Sequence, residues 1–94
     1  MKNNVKNEFK LIDSTFTPEE AKEVLLNLVD SKINYHKLDD FRHFVRSDRN
    51  AKHSEKRIMD LTDTKEAIKV IIDEATKSGS RLVIKSDIII KFLE

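Results

Sequence analysis

The sequence predicts an α+β fold in the order β-α-α-β, an antiparallel helical hairpin packed on a two-stranded antiparallel sheet. Three observations predict it. The only proline, Pro18, and the only glycine, Gly79, stand where a helical region would begin and end. Between them apolar residues recur at helical spacing. Outside them, over residues 8–16 and 81–93, apolar residues follow the two-residue alternation of strands.

Ninety-four residues predict one domain, residues 1–94. A chain of this size buries only about two-thirds of the surface it exposes when unfolded, so the core is expected to be modest. Charged residues make up 37%, with 18 basic against 17 acidic, and the two signs alternate along most of the chain. That pattern fits helices laced with surface ion pairs, and a net charge of +1 makes no global case for nucleic acid or membrane. With no cysteine, disulfides, thiolate zinc sites, iron–sulfur ligation and cysteine nucleophiles are excluded. No apolar run is longer than Ile88-Ile89-Ile90, and no apolar stretch follows the first charges as a signal peptide requires. A cytoplasmic protein is expected. The many Lys, Ile and Asn residues suit an AT-rich bacterial genome.

Residues 1–7 are polar and expected to fray. In the strand over 8–16, alternation places Phe9 and Leu11 on one face and Ile12 and Phe16 on the other. Thr17-Pro18-Glu19-Glu20 then reads as a helix start. Thr17 is positioned to cap, Pro18 needs no N–H at the first helical position, and Glu20 completes a capping box. Phe16 is placed to staple onto Ala21.

A helix is expected over 18–46, with a stripe of Ala21, Val24, Leu25, Leu28 and Tyr35. Leu38, Phe41 and Val45 then form a cluster on another side. A break near residues 37–40 is therefore expected, with Asp39 or Asp40 capping a short second piece. Residues 47–53 read as a loop. Ser54 is the expected cap of a helix over 55–78, whose stripe is Ile58, Leu61, Ile68, Ile71, Ile72 and Ala75. Lys69–Asp73 and Asp73–Lys77 are opposite-charge pairs at i,i+4, and Gly79 suits a left-handed stop. Residues 81–93 read as one strand with Leu82, Ile84, Ile88, Ile90 and Phe92 on one face, interrupted by Ser86; a hairpin at Ser86-Asp87 is the alternative.

One glycine in the whole chain excludes phosphate-cradling loops, dinucleotide folds and the nucleophile elbow, because each needs several. No cofactor is expected. His36, Asp40 and His43, at i, i+4 and i+7, are the candidate metal ligands, since imidazole and carboxylate suit zinc or another first-row metal. The bland reading is a solvated helix face, and a Tyr35–His36–Asp39 proton relay is weaker still. Glu19, Glu20 and Glu23 resemble an acid cluster, but the helix dipole favours acids in a first turn regardless.

Arg42, Arg46, Arg49, Lys52, Lys56 and Arg57 concentrate positive charge at the hairpin tip beside Phe41 and Phe44, a candidate surface for nucleic acid or an acidic protein. Two strands leave two open edges, and Ile89, Leu93, Met59 and Val70 lie off the main stripes. The leading expectation is a non-enzymatic intracellular protein-interaction module that is its own partner, a homodimer through its sheet edges. An edge that accepts another protein's strand, nucleic-acid binding at the tip and a metal site at His36/Asp40/His43 are the alternatives. No membrane partner is expected.

Overall fold

A computed structural model of the chain describes residues 7–47 and 54–93, with the backbone alone over 43–47. Strand β1 (Glu8–Phe16) leads into helix α1 (Pro18–Ser47), helix α2 (Glu55–Ser78) returns, and strand β2 (Leu82–Ile89) follows. The two strands pair antiparallel in a two-stranded sheet, so the β-α-α-β architecture is as expected. Residues 1–6 and 48–53, most of the expected frayed end and loop, lie outside the described residues.

The start of α1 is built as the sequence predicts. The Glu20 amide donates to Thr17 Oγ1 at 3.1 Å, and the Thr17 amide donates back to Glu20 Oε1 at 3.0 Å. Together they satisfy donors that a helix start leaves without partners. Thr17→Ala is expected to lower the unfolding free energy by about 1 kcal/mol. The measurement is the urea midpoint at unchanged slope, and a midpoint that does not move would show that the box contributes nothing.

The expected break near residues 37–40 does not occur. Helix α1 runs unbroken for 30 residues, and Asp40 serves α2 instead of capping a second piece. Its Oδ1 accepts the Ser54 amide at 2.9 Å, tying α1 to the start of the returning helix. Ser54 is the N-cap residue of α2, but its side chain makes no capping bond. Its carbonyl accepts from Ile58 N at 2.9 Å instead.

The hairpin closes along two heptad seams. Leu26, Val29, Ile33, His36 and Asp40 follow one another at steps of three and four and are all at least half-buried. On α2 the same alternation runs through Ser54, Ile58, Leu61, Lys65, Ile68, Ile72 and Ala75. This is the spacing of antiparallel coiled-coil packing. Asp40 faces Ser54, and Lys65 Nζ reaches Asp30 Oδ1 at 2.8 Å, which fixes the register at two levels. Ile71, expected in the α2 stripe, is exposed, and Lys65 occupies the seam position that the apolar pattern skipped. Lys69 pairs with Glu66 at 3.5 Å.

Helix α2 stops at Gly79, whose φ of 70° is left-handed. Ser80 N donates to Ala75 O and Gly79 N to Thr76 O, the paired bonds of a Schellman motif.

The sheet departs from simple alternation. Lys10 pairs with Asp87 but Ile12 pairs with Ser86, so a bulge at Lys10-Leu11 inserts one residue into β1. Phe9, opposite Ile88, therefore shares a face with Ile12, opposite Ser86, and with Phe16, opposite Leu82. The expected split of Phe9 from Ile12 and Phe16 is thus corrected. The bulge gathers Phe9, Ile12, Phe16, Leu82, Ile84 and Ile88 on one face and leaves Glu8, Lys10, Asp13, Lys85 and Asp87, with the exposed Val83 and Ile89, on the other. Strand β2 ends at Ile89, short of the expected residue 93, because its partner ends at Glu8; one further bond joins Ile90 N to Asn7 O.

The ribbon meets the hairpin chiefly through α1, near the connections. There Ile12, Phe16, Leu82 and Ile84 are half-buried, while Phe9, Ile88 and Phe92 farther out are exposed. The Cα extents are 51 × 40 × 15 Å. Helix α1 accounts for about 45 Å of the longest. A helix pair is only about 20 Å wide, so the 40 Å dimension requires the ribbon to project sideways from the hairpin's end. Among the described residues the buried apolar core is Ala21, Ile33, Ile72 and Ala75.

Candidate interaction surface

Helix α1 carries a second apolar stripe on the face opposite the one that meets α2. Val24, Leu28, Ser31, Tyr35 and Leu38 also advance by alternating steps of four and three. Positions 42 and 45 continue the spacing. At 100° per residue the stripe drifts about 20° per heptad, the drift of a supercoiled seam. The change of side near residues 37–40 is therefore the drift of this one stripe along a continuous helix, with Phe41 lying off it.

Val24 is half-buried, but beyond it the stripe is open. Leu28 is 42% exposed, Tyr35 51% and Leu38 48%. The Tyr35 ring meets the edge of the His36 ring at 5.5 Å, and Lys32 Nζ stands 4.7 Å from its centroid. Those contacts fix the Tyr35 ring on the outer side of the helix.

The other candidate residues are dispersed. Ile89, Leu93, Met59 and Val70 are all exposed. Met59 and Val70 lie along α2, Ile89 and Leu93 on the ribbon and its extension, so the four do not form one patch. Of the basic set, Arg42, Lys56 and Arg57 are exposed, and Lys56 and Arg57 both pair with Asp60, at 3.7 and 3.9 Å. The side chains of Arg46, Arg49 and Lys52 lie outside the described residues.

His36 and Asp40 belong to the inner seam, where Asp40 accepts the Ser54 amide; the His43 side chain lies outside the described residues. No group of three metal-ligating side chains converges among the described residues. Both ring nitrogens of His36 are buried without a hydrogen-bond partner, so the Tyr35–His36–Asp39 relay is not formed. Of the acids, Glu20 is engaged in the capping box.

Comparison with protein families, with curated proteins and with solved structures finds no match for this chain. Its function must be argued from its surface.

A cleft of about 630 Å³ lies where α1 begins and α2 ends, lined by Thr17, Pro18, Ile72, Thr76 and Arg81 among others. Two acids and two bases border it, Glu19, Asp73, Lys22 and Arg81. That balance selects no ligand charge. No described helix is long and apolar enough to cross a membrane.

Sequence reasoning found most of the outer stripe, Val24, Leu28 and Tyr35, but took it for the face that meets α2; the inner seam of Leu26, Val29 and Ile33 is what it missed.

Proposed function

We propose that the chain is a non-enzymatic protein-interaction module whose first partner is itself. One observation carries this: the single chain exposes too much surface for a folded monomer of its size. Its accessible surface is 7809 Å², whereas a compact monomer of 11.0 kDa exposes about 5,600 Å². The radius of gyration is 17.2 Å, against about 12 Å for a compact domain of this length. The surplus of roughly 2,200 Å² per chain is of the size that obligate homodimers bury. Apolar side chains supply much of it, including Phe9, Leu28, Tyr35, Leu38 and Ile88.

Two kinds of surface are available for association: the open ribbon edges and the outer stripe of α1. The basic tip is a weaker basis for function, because Lys56 and Arg57 already pair with Asp60. Light scattering during size exclusion, at micromolar protein, is expected to give twice the chain mass of 11.0 kDa. A single-chain mass at every concentration would refute the proposal.

A further inference from the structure

We infer that the outer stripe of α1 is where two copies meet, α1 packing antiparallel on α1 about a twofold axis through Ser31, so that two hairpins join into a four-helix layer with the two α1 helices at its centre. This rests on the self-association proposed above and names its surface.

The stripe has the spacing of a coiled-coil seam, which calls for a helix as its occupant. It is also self-complementary when reversed. A twofold axis at Ser31 sets Val24 level with Leu38 of the second copy and Leu28 within one residue of its Tyr35, with serine meeting serine at the crossing. Large side chains oppose apolar ones, and the smallest member of the stripe falls where the helix backbones come closest. An isologous interface requires this symmetry of a single surface. Asn27 and Asn34 border one side of the stripe and Lys32, held over the Tyr35 ring, the other.

The competing surfaces fit a second copy less well. On α2 the exposed Met59, Val70 and Ile71 are interspersed with Asp63, Glu66, Asp73 and Glu74. Charged residues of both signs, Lys56, Lys69 and Lys77 among them, interrupt that face, so it offers no continuous apolar stripe. Pairing ribbon edges satisfies main-chain groups but leaves Leu28, Tyr35 and Leu38 in water. The antiparallel α1 arrangement covers those three. It also brings the root of the second ribbon, at Pro18 of that copy, to the level of residue 44, about a turn from the exposed Phe41.

The chain has no cysteine, so one introduced thiol reports one position. A disulfide requires Cα atoms within about 7 Å, which only residues near the axis of a twofold interface meet. Ser31→Cys, oxidised with diamide, is expected to give a covalent dimer in high yield on a non-reducing gel. Glu66→Cys, on an exposed part of α2, is expected to give little. The double variant Leu28→Lys, Tyr35→Lys sets like charges against each other across the axis. It should keep its helical circular dichroism while its dimer dissociation constant rises more than about a hundredfold.

A wild-type dimer that fails to cross-link at Ser31, or that survives the double lysine variant, overturns this interface and leaves self-association standing. Cross-linking through Ile89→Cys instead would then assign the ribbon edge. A wild-type monomer overturns both.

Discussion

Replacing Ile72 with alanine is expected to lower the unfolding free energy by about 2–4 kcal/mol. Ile72 is 4% exposed and sits in the α2 seam near the ribbon's root, beside the cleft lined by Thr17 and Pro18. Of the four buried apolar residues among those described, Ala21 and Ala75 are already alanine, so Ile33 and Ile72 supply most of their side-chain volume. A domain of this length has a total stability of about 5–14 kcal/mol. A core this thin belongs at the low end, where the loss removes a large part of the whole. Val70, two residues away and 57% exposed, is the control: Val70→Ala should cost less than about 0.5 kcal/mol. Both are read by urea unfolding at one fixed protein concentration, because association adds stability that depends on concentration. Equal losses at the two positions would mean that the seam through Ile58, Leu61, Ile68 and Ile72 is not the core.

What the sequence revealed of this fold follows how local each signal is. The start of α1 and the end of α2 depend on a few consecutive residues, Thr17 to Glu20 and Ala75 to Ser80, and both were legible in detail. The seams depend on which of several apolar residues find a partner, and there the pattern misled. The two α1 seams lie two residues apart, about 200° around the helix and so on opposite faces, and the apolar stripe read from the sequence followed the outer one. Leu28 and Tyr35 looked like core but face outward. Leu26, Val29 and Ile33, which do meet α2, were passed over. Polar residues at seam positions deepened the confusion, because His36, Asp40, Ser54 and Lys65 interrupt the apolar count where packing continues. The apparent break near residues 37–40 came from the drift of the outer stripe along the helix, with Phe41 lying off it. The bulge at Lys10-Leu11 had no glycine to announce it; it follows from pairing β1 with β2 so that Phe9 and Ile12 reach one face. Of the candidate surfaces, the outer seam could be recognised only once the inner one was assigned to α2.

His36 offers the opposite kind of test, a substitution expected to stabilise. Its two ring nitrogens are buried without a hydrogen-bond partner, and a buried polar group left in that state costs about 1–3 kcal/mol. It occupies an inner-seam position between Ile33 and Asp40, one that leucine ordinarily fills in a coiled coil. His36→Leu keeps a side chain of comparable bulk and removes the unmet polar atoms. The unfolding free energy is expected to rise by about 1–3 kcal/mol and the melting temperature by several degrees. A polar residue in such a seam can be retained because it fixes register, but two other ties hold the register here. Asp40 accepts the Ser54 amide at one level, and Lys65 pairs with Asp30 at another. The variant should therefore keep its antiparallel pairing and its association state, checked by calorimetry together with light scattering. A loss of stability would show that the imidazole makes hydrogen bonds in solution, and that this seam position is polar because a bond there is worth more than a leucine.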